Sequence, residues 1–312
     1  TFRQNQPTVL FLVVPLTLAL WPGGGPWAGA VAAGMKGGMP LFTGLVALAA
    51  RYPWTWPVLG MLVVMGLALQ VDRTANESEL FERRNHLPAL LLPLLLALFP
   101  NGLALDPALA GMPFVIWALR KLWGSQGKPN VLGSLFDAGL LLGLATLCHL
   151  PYLCMMVVVH SSIAVMRPFS WREHVVTVLG VGVMLFIAWS LAQLFNGHGP
   201  DPSTLLTHTE PKATAQASHH WFYRSVLATL TVLFGVAGLI AFTADYARGV
   251  MREKNTRTSF VAFTLLCTIT ALFGRFVEGH VPAVLVAAPL SIFLAWPLVN
   301  ARRNALAEVG AW

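Results

Sequence analysis

Ten apolar stretches, each near the length of a membrane-crossing helix and each set off by a polar or Gly/Pro-rich segment, constrain this chain more than any other feature. They occupy residues 8 to 22, 54 to 71, 87 to 100, 107 to 121, 131 to 148, 151 to 166, 174 to 195, 221 to 245, 258 to 277 and 281 to 299. A bilayer core takes about 20 apolar residues per helix, with roughly 17 to 25 the usual range. The third and fourth stretches are short, so residues 87 to 121 also admit a re-entrant pair broken at FPNG. Composition agrees: 56% of the 312 residues are hydrophobic and 11% charged, against about 25% charged in soluble domains. Thirteen acidic and twenty basic side chains are too few for the surface that a soluble protein of this length exposes. The expected fold is all-α, a polytopic transmembrane bundle of about ten spans in a single integral domain over residues 1–312.

Basic residues orient the bundle. With ten spans and the N-terminus inside, the inner loops hold Arg3, Arg73, Arg83, Arg84, Arg120, Lys121, Lys128, Arg167, Arg172, Arg248, Arg252, Lys254, Arg257, Arg302 and Arg303. The outer side keeps Lys36, Arg51, Lys212, Arg224 and Arg275. Fifteen against five is the bias that cytoplasmic loops carry, so both termini are expected inside. The first run, TFRQNQPTVLFLVVPLTLALW, begins as a signal peptide does, but so many later spans favour a retained helix acting as its own insertion signal.

Two outer segments are long. Residues 40 to 50 are expected as a helix lying in the interface, anchored by Arg51, Trp54 and Trp56. Residues 196 to 220 read as a polar loop with turn signals. On the inner side, DRTANESELFERRNH at 72 to 86 is expected to form one or two helical turns capped by Asn76 or Ser78. RPFSWRE at 167 to 173 is a tight connection with Arg167 and Arg172 facing lipid phosphates.

One acid interrupts an oily stretch. In SLFDAGLLLGL, Asp137 lies six residues beyond Val131, the expected inner end of the fifth helix, or roughly 9 Å deep at 1.5 Å per residue. An ionised carboxylate there needs a partner or water. If CHLPY at 148 to 152 folds helices five and six into an antiparallel hairpin, Asp137 is level with about residue 163, where His160, Ser161 and Ser162 lie. Gly139 and Gly143 form G-x-x-x-G, a close-packing face, about 160° around the helix from Asp137. Asp137, His160, Ser161 and Ser162 are therefore expected as a polar cluster inside the bundle, read either as a proton relay or cation site, or as a knot that fixes packing. The knot is favoured, because no other helix carries an acid or base at mid-depth.

A second set lies outside: Arg275 and Glu278 at i, i+3, with His280 beyond, then His219, His220 and Arg224, and His149 at the five-six turn. Arginines with histidines at the headgroup level are the equipment for a lipid-linked phosphate. The plainer reading is that they extend to headgroups. No metal is expected, since His219 and His220 diverge on a helix and no H-x-x-x-H or H-E-x-x-H occurs. Haem fails because His149 and His160 sit at opposite ends of their hairpin. No Walker loop, nucleophile elbow or dinucleotide fingerprint is present, and no cofactor is expected. Three cysteines make no disulfide framework; Cys148 and Cys154 flank one turn, with free thiols expected. A net charge of +7 lies in small clusters rather than a stripe, which points to anionic lipid and not nucleic acid.

FRQN before the first span, LFDAGLLLGLATL opening the fifth, and VMRPFSWREHVVTVLG linking the sixth and seventh resemble a family of uncharacterised multi-pass membrane proteins from Bacteroidota. That family carries an F-D-A-G helix and an R-P-F-x-W-R-E turn. The resemblance implies an inner-membrane protein of a Gram-negative cell and assigns no catalytic residue. Three functions follow as expectations. The favoured one is a non-catalytic subunit or scaffold of a larger membrane complex, its partners being membrane lipids and other membrane subunits. The others are an enzyme or carrier for undecaprenyl-linked glycan at the outer face, and a proton-coupled secondary transporter using Asp137 and His160.

Overall fold

The computed structural model describes residues 7–21, 39–52, 54–81, 84–99, 102–167, 170–196, 235–236, 238–243, 246, 250–277 and 281–300. Among them the chain is helical, without strands. A 3-10 turn at Pro7–Leu12 leads into α1 (Val13–Leu20), followed by α2 (Pro40–Arg51), α3 (Thr55–Glu77), α4 (Leu87–Leu98), α5 (Pro107–Trp123) and α6 (Leu132–Thr146). A second 3-10 turn, Leu150–Met155, precedes α7 (Met156–Met166). Then come α8 (Trp171–Asn196), α9 (Met251–Val277) and α10 (Ala283–Asn300).

Proline writes most of these boundaries. A residue before proline is pushed out of the helical region by the ring's Cδ. Trp21, Tyr52, Phe99 and Arg167 each precede one, and each is extended or otherwise non-helical where α1, α2, α4 and α7 stop. Proline also opens helices, where its missing N–H costs nothing. Pro40 starts α2 and Pro107 starts α5, the latter capped by the Asp106 carboxylate, which accepts from the Leu109 N–H.

The same punctuation leaves several of the apolar stretches as short helices. Among the described residues, three helices are long and apolar enough to cross a membrane: Thr55–Glu77, Trp171–Leu194 and Met251–Phe276. At 12 residues, α4 extends about 18 Å, well short of a hydrocarbon core of roughly 30 Å. Residues 102 to 106 stay outside both neighbouring helices, and α5 opens only behind the Asp106 cap. The polar segment after residue 71 is corrected too: α3 runs on through Glu77. The eighth apolar stretch, 221 to 245, falls mostly outside the described residues.

Contacts arrange the helices between two ends. Leu105 packs beside Gly60 at one end, and Arg120 pairs with Glu77 at the other, so α3 and α5 run in the same direction. Likewise α6 and α8 run together, with Gly139 against Thr177 and Gly143 against Met184. We call the end that holds Glu77 and Arg120 the charged pole. The opposite pole is closed by Tyr152, wholly buried, whose hydroxyl donates to the Ala108 carbonyl at 2.6 Å. Helix α2 is tied to that pole by a Leu41 N–H donated to the Leu147 carbonyl, and Phe42 meets the Trp56 ring edge-on.

Candidate functional site

The chemistry gathers at the charged pole. Every ion pair identified among the described residues lies there: Asp72 with His86, Glu77 with Arg120, Glu79 with Arg252, Lys121 with Asp137, Arg167 with Glu173, and Glu253 with Arg257. All of these except Glu253 with Arg257 link different helices or the loops beside them, so the pole is a mesh rather than a set of separate caps.

One enclosed pair is Arg167 and Glu173, with side chains 14% and 10% exposed. Arg167 follows the end of α7, and Pro168 throws its backbone into an extended form, which lets the side chain turn back under the bundle. Its Nε donates to Glu173 Oε1 at 3.1 Å, and Nη1 donates to the carbonyls of Ser125 and Lys128 at 3.2 and 3.0 Å. The sequence reading sent Arg167 toward lipid phosphates; it is instead consumed inside the protein. Six residues separate it from Glu173, a spacing that only a sharp turn can close.

A second buried pair sits where α3 ends. Asp72 Oδ2 lies 2.9 Å from His86 Nδ1, which meets the requirement that a buried carboxylate find a charge or hydrogen-bond partner. Asn76 stitches the loop to the helix, donating to the carbonyls of Asp72 and Asn85 at 3.0 and 2.8 Å and accepting from the Asn85 N–H at 3.0 Å. It therefore fastens the loop's far end instead of capping a separate helix. Deeper in, Trp123 donates its Nε1–H to Ser259 Oγ, which also contacts Ser162 Oγ, joining α5, α7 and α9. Arg257 is buried beside them, its guanidinium 5.6 Å over the Trp296 ring.

The polar cluster expected around Asp137 does not form. Asp137 pairs with Lys121 at 3.0 Å and is about half exposed. His160 meets His174 of α8, Nδ1 to Nδ1 at 3.0 Å. Ser161 and Ser162 both donate to the Val158 carbonyl. The reason is topological: the 3-10 turn at Leu150–Met155 swings α7 away, so α7 packs on α9 while α6 packs on α5 and α8. No tight α6–α7 hairpin exists to bring residue 137 level with residue 163.

Gly139 and Gly143 lie along α8. A Cβ on Gly139 would sit 2.3 Å from the Thr177 carbonyl oxygen, and one on Gly143 would sit 2.7 Å from Met184 Cβ. Gly180 answers from α8, where a Cβ would lie 2.5 Å from the Phe136 carbonyl. Of the outer set, Arg275 is exposed near the end of α9. His149 is buried, its ring edge-on to Tyr152 at 5.2 Å, which removes it from an exterior pocket. Glu278, His280, His219, His220 and Arg224 lie outside the described residues. The three cysteines are free thiols, Cys148 and Cys267 buried and Cys154 exposed. Among the described residues, no three His, Cys, Asp or Glu side chains gather as a metal site.

The partners that sequence reading missed, His174, Glu173, His86 and Ser259, carried a signal only in part. Glu173 and His174 stand in the R-P-F-x-W-R-E segment and the residue after it, but nothing local pairs His86 with Asp72 or Ser259 with Trp123.

No curated protein and no solved structure matches the chain. A family profile does match, over residues 46–312, which includes every residue of the charged pole. By that match, the chain belongs to DUF6427, a family of unknown function.

Proposed function

We propose that the protein is a multi-pass integral protein of a Gram-negative inner membrane, charged pole toward the cytoplasm, serving as a non-catalytic subunit of a larger membrane complex. Support for the orientation comes from the basic side chains: Arg120, Lys121, Arg167, Arg252 and Arg257 share one pole, which is how cytoplasmic loops are charged. On this reading the shorter helices complete the ten crossings by packing within the bundle, where irregular backbone is shielded from lipid.

One observation carries the subunit role. The apolar window of α8 is 17% buried, whereas those of α3 and α9 are each 39% buried. Helix α8 touches the bundle chiefly along its glycine seam on α6 and leaves Leu179, Phe186, Trp189 and Leu194 uncovered. Small residues on one side and large apolar ones on the other suit a helix held between its own bundle and a second protein. The transporter reading loses its residues, because Asp137 and His160 have separate partners and Asp137 is half exposed.

The test is photo-crosslinking in native membranes from positions 179, 186 and 189, with Leu265 of α9 as the lipid-facing control. The subunit role requires one discrete protein adduct from α8 and none from Leu265. Lipid adducts alone from all four positions would overturn it.

A further inference from the structure

Helix α8 has a back and a front. Thr177, Gly180 and Met184 set its back against α6. On the front stand Val175, Leu179, Gly182, Phe186 and Gln193, at i, i+4, i+7, i+11 and i+18, which 3.6 residues per turn bring onto one straight line. Val175, Leu179, Gly182 and Phe186 are exposed. At 1.5 Å per residue the line runs about 27 Å, close to the roughly 30 Å of a hydrocarbon core. The subunit role puts a protein against this line without saying which.

Three features of the line select the occupant. The first is charge. A two-fold interface sets each residue near its axis against its own image, so a charge there would repel itself. From Val175 onward α8 carries no charged residue, and the exposed Arg172 stands about 60° off the line. The second is Gly182, at mid-line. The missing Cβ of Gly139 or Gly180 makes room for a neighbouring backbone, whereas nothing lies within 4 Å of where a Cβ on Gly182 would be. Its smallness serves no contact inside this chain, and set against its image it lets two helix backbones approach closely. The third is Gln193, partly exposed in the last turns of the helix. An amide is both donor and acceptor, so it can bond its own image, and lipid tails offer it no partner.

We propose that the occupant is a second copy of this chain. All copies insert the same way, so their α8 helices run parallel and the two-fold axis lies along the membrane normal. Gly182 meets Gly182 at the crossing, Leu179 and Phe186 pack on either side of it, and the two Gln193 amides hydrogen-bond across the axis. The inference rests on the subunit role and names the neighbour that α8 touches.

The experiment reconstitutes the whole chain in nanodiscs, with empty discs in large excess so that chance pairing is rare, and counts chains per disc by native mass spectrometry. The wild-type chain should give two. Gly182→Leu should give one, with thermal unfolding unchanged, because the space around that Cβ is open and the larger side chain disturbs nothing within the chain. Gly66→Leu on α3, where a Cβ also has nothing within 4 Å, is the control and should leave the pair intact. Gln193→Leu should weaken self-association about tenfold, the scale of one interhelical hydrogen bond in lipid. Photo-adducts from positions 179 and 186 in native membranes separate this inference from the role on which it rests. An adduct of twice the chain's mass supports both; a discrete adduct of another mass keeps the subunit role and overturns the second copy; lipid adducts alone overturn both. One wild-type chain per disc, or a pair that persists in Gly182→Leu, also overturns the proposal.

Discussion

The two poles of the bundle are closed by opposite means. At the charged pole, ion pairs and carbonyl contacts tie α3, α5, α6 and α8 together through long side chains such as Arg120 and Arg167. At the other, one wholly buried ring does comparable work: Tyr152 fills the space under Gly111, where a Cβ would lie 2.6 Å from its ring, and donates its hydroxyl to Ala108. The difference teaches where water is. Flexible charged side chains hold well only where the alternative, a solvated charge, is close at hand. A pole that must stay dry is better closed by a rigid ring with a single satisfied hydroxyl.

That contrast sets an order of effects. Tyr152→Ala should cost most, about 3–5 kcal/mol for loss of a fully buried aromatic, read as unfolding free energy in mixed micelles; Tyr152→Phe should cost only about 0.5–1.5 kcal/mol. Arg167→Ala comes next, near the lower end of about 3–5 kcal/mol, because it strands the Glu173 carboxylate in a mostly enclosed place. A double variant, Arg167→Ala with Glu173→Ala, should recover part of that loss; if it recovers none, the pair is not coupled. Gly139→Ala, between the poles, should cost about 1–3 kcal/mol by forcing α6 and α8 apart. Asp137→Asn should be smallest, about 0–1 kcal/mol, since that pair is half exposed. A melting series in which Asp137→Asn outranks Tyr152→Ala would reverse the assignment of wet and dry ends.

Much of the fold could be read from the chain alone. The apolar runs located nine of the ten helices now described or bounded, and the prolines that end four of them stood in plain view. Gly139 and Gly143 announced a close contact but not its partner, since a glycine pair says how near a helix comes and nothing about which one. The interruption around FPNG was legible too: α4 stops at Leu98 and α5 opens behind the Asp106 cap, close to the ends of the apolar runs at 87 to 100 and 107 to 121. The site was less legible. Pairing Asp137 with His160 assumed that neighbours in sequence are neighbours in space, and the 3-10 turn before α7 breaks that assumption. Arg167 was assigned outward because a cation beside a membrane usually is, yet six residues later Glu173 gave it an inward alternative.

Helices α6 and α8 touch backbone to backbone where Gly139 meets Gly180. Such a pair can only be carried as one rod. Any shape change that this protein undergoes has to be taken up on the rod's other flank, where α7 and α8 barely meet and two imidazoles share one proton's worth of contact. The molecule thus has a stiff side and a yielding side, and the boundary between them runs down a single helix.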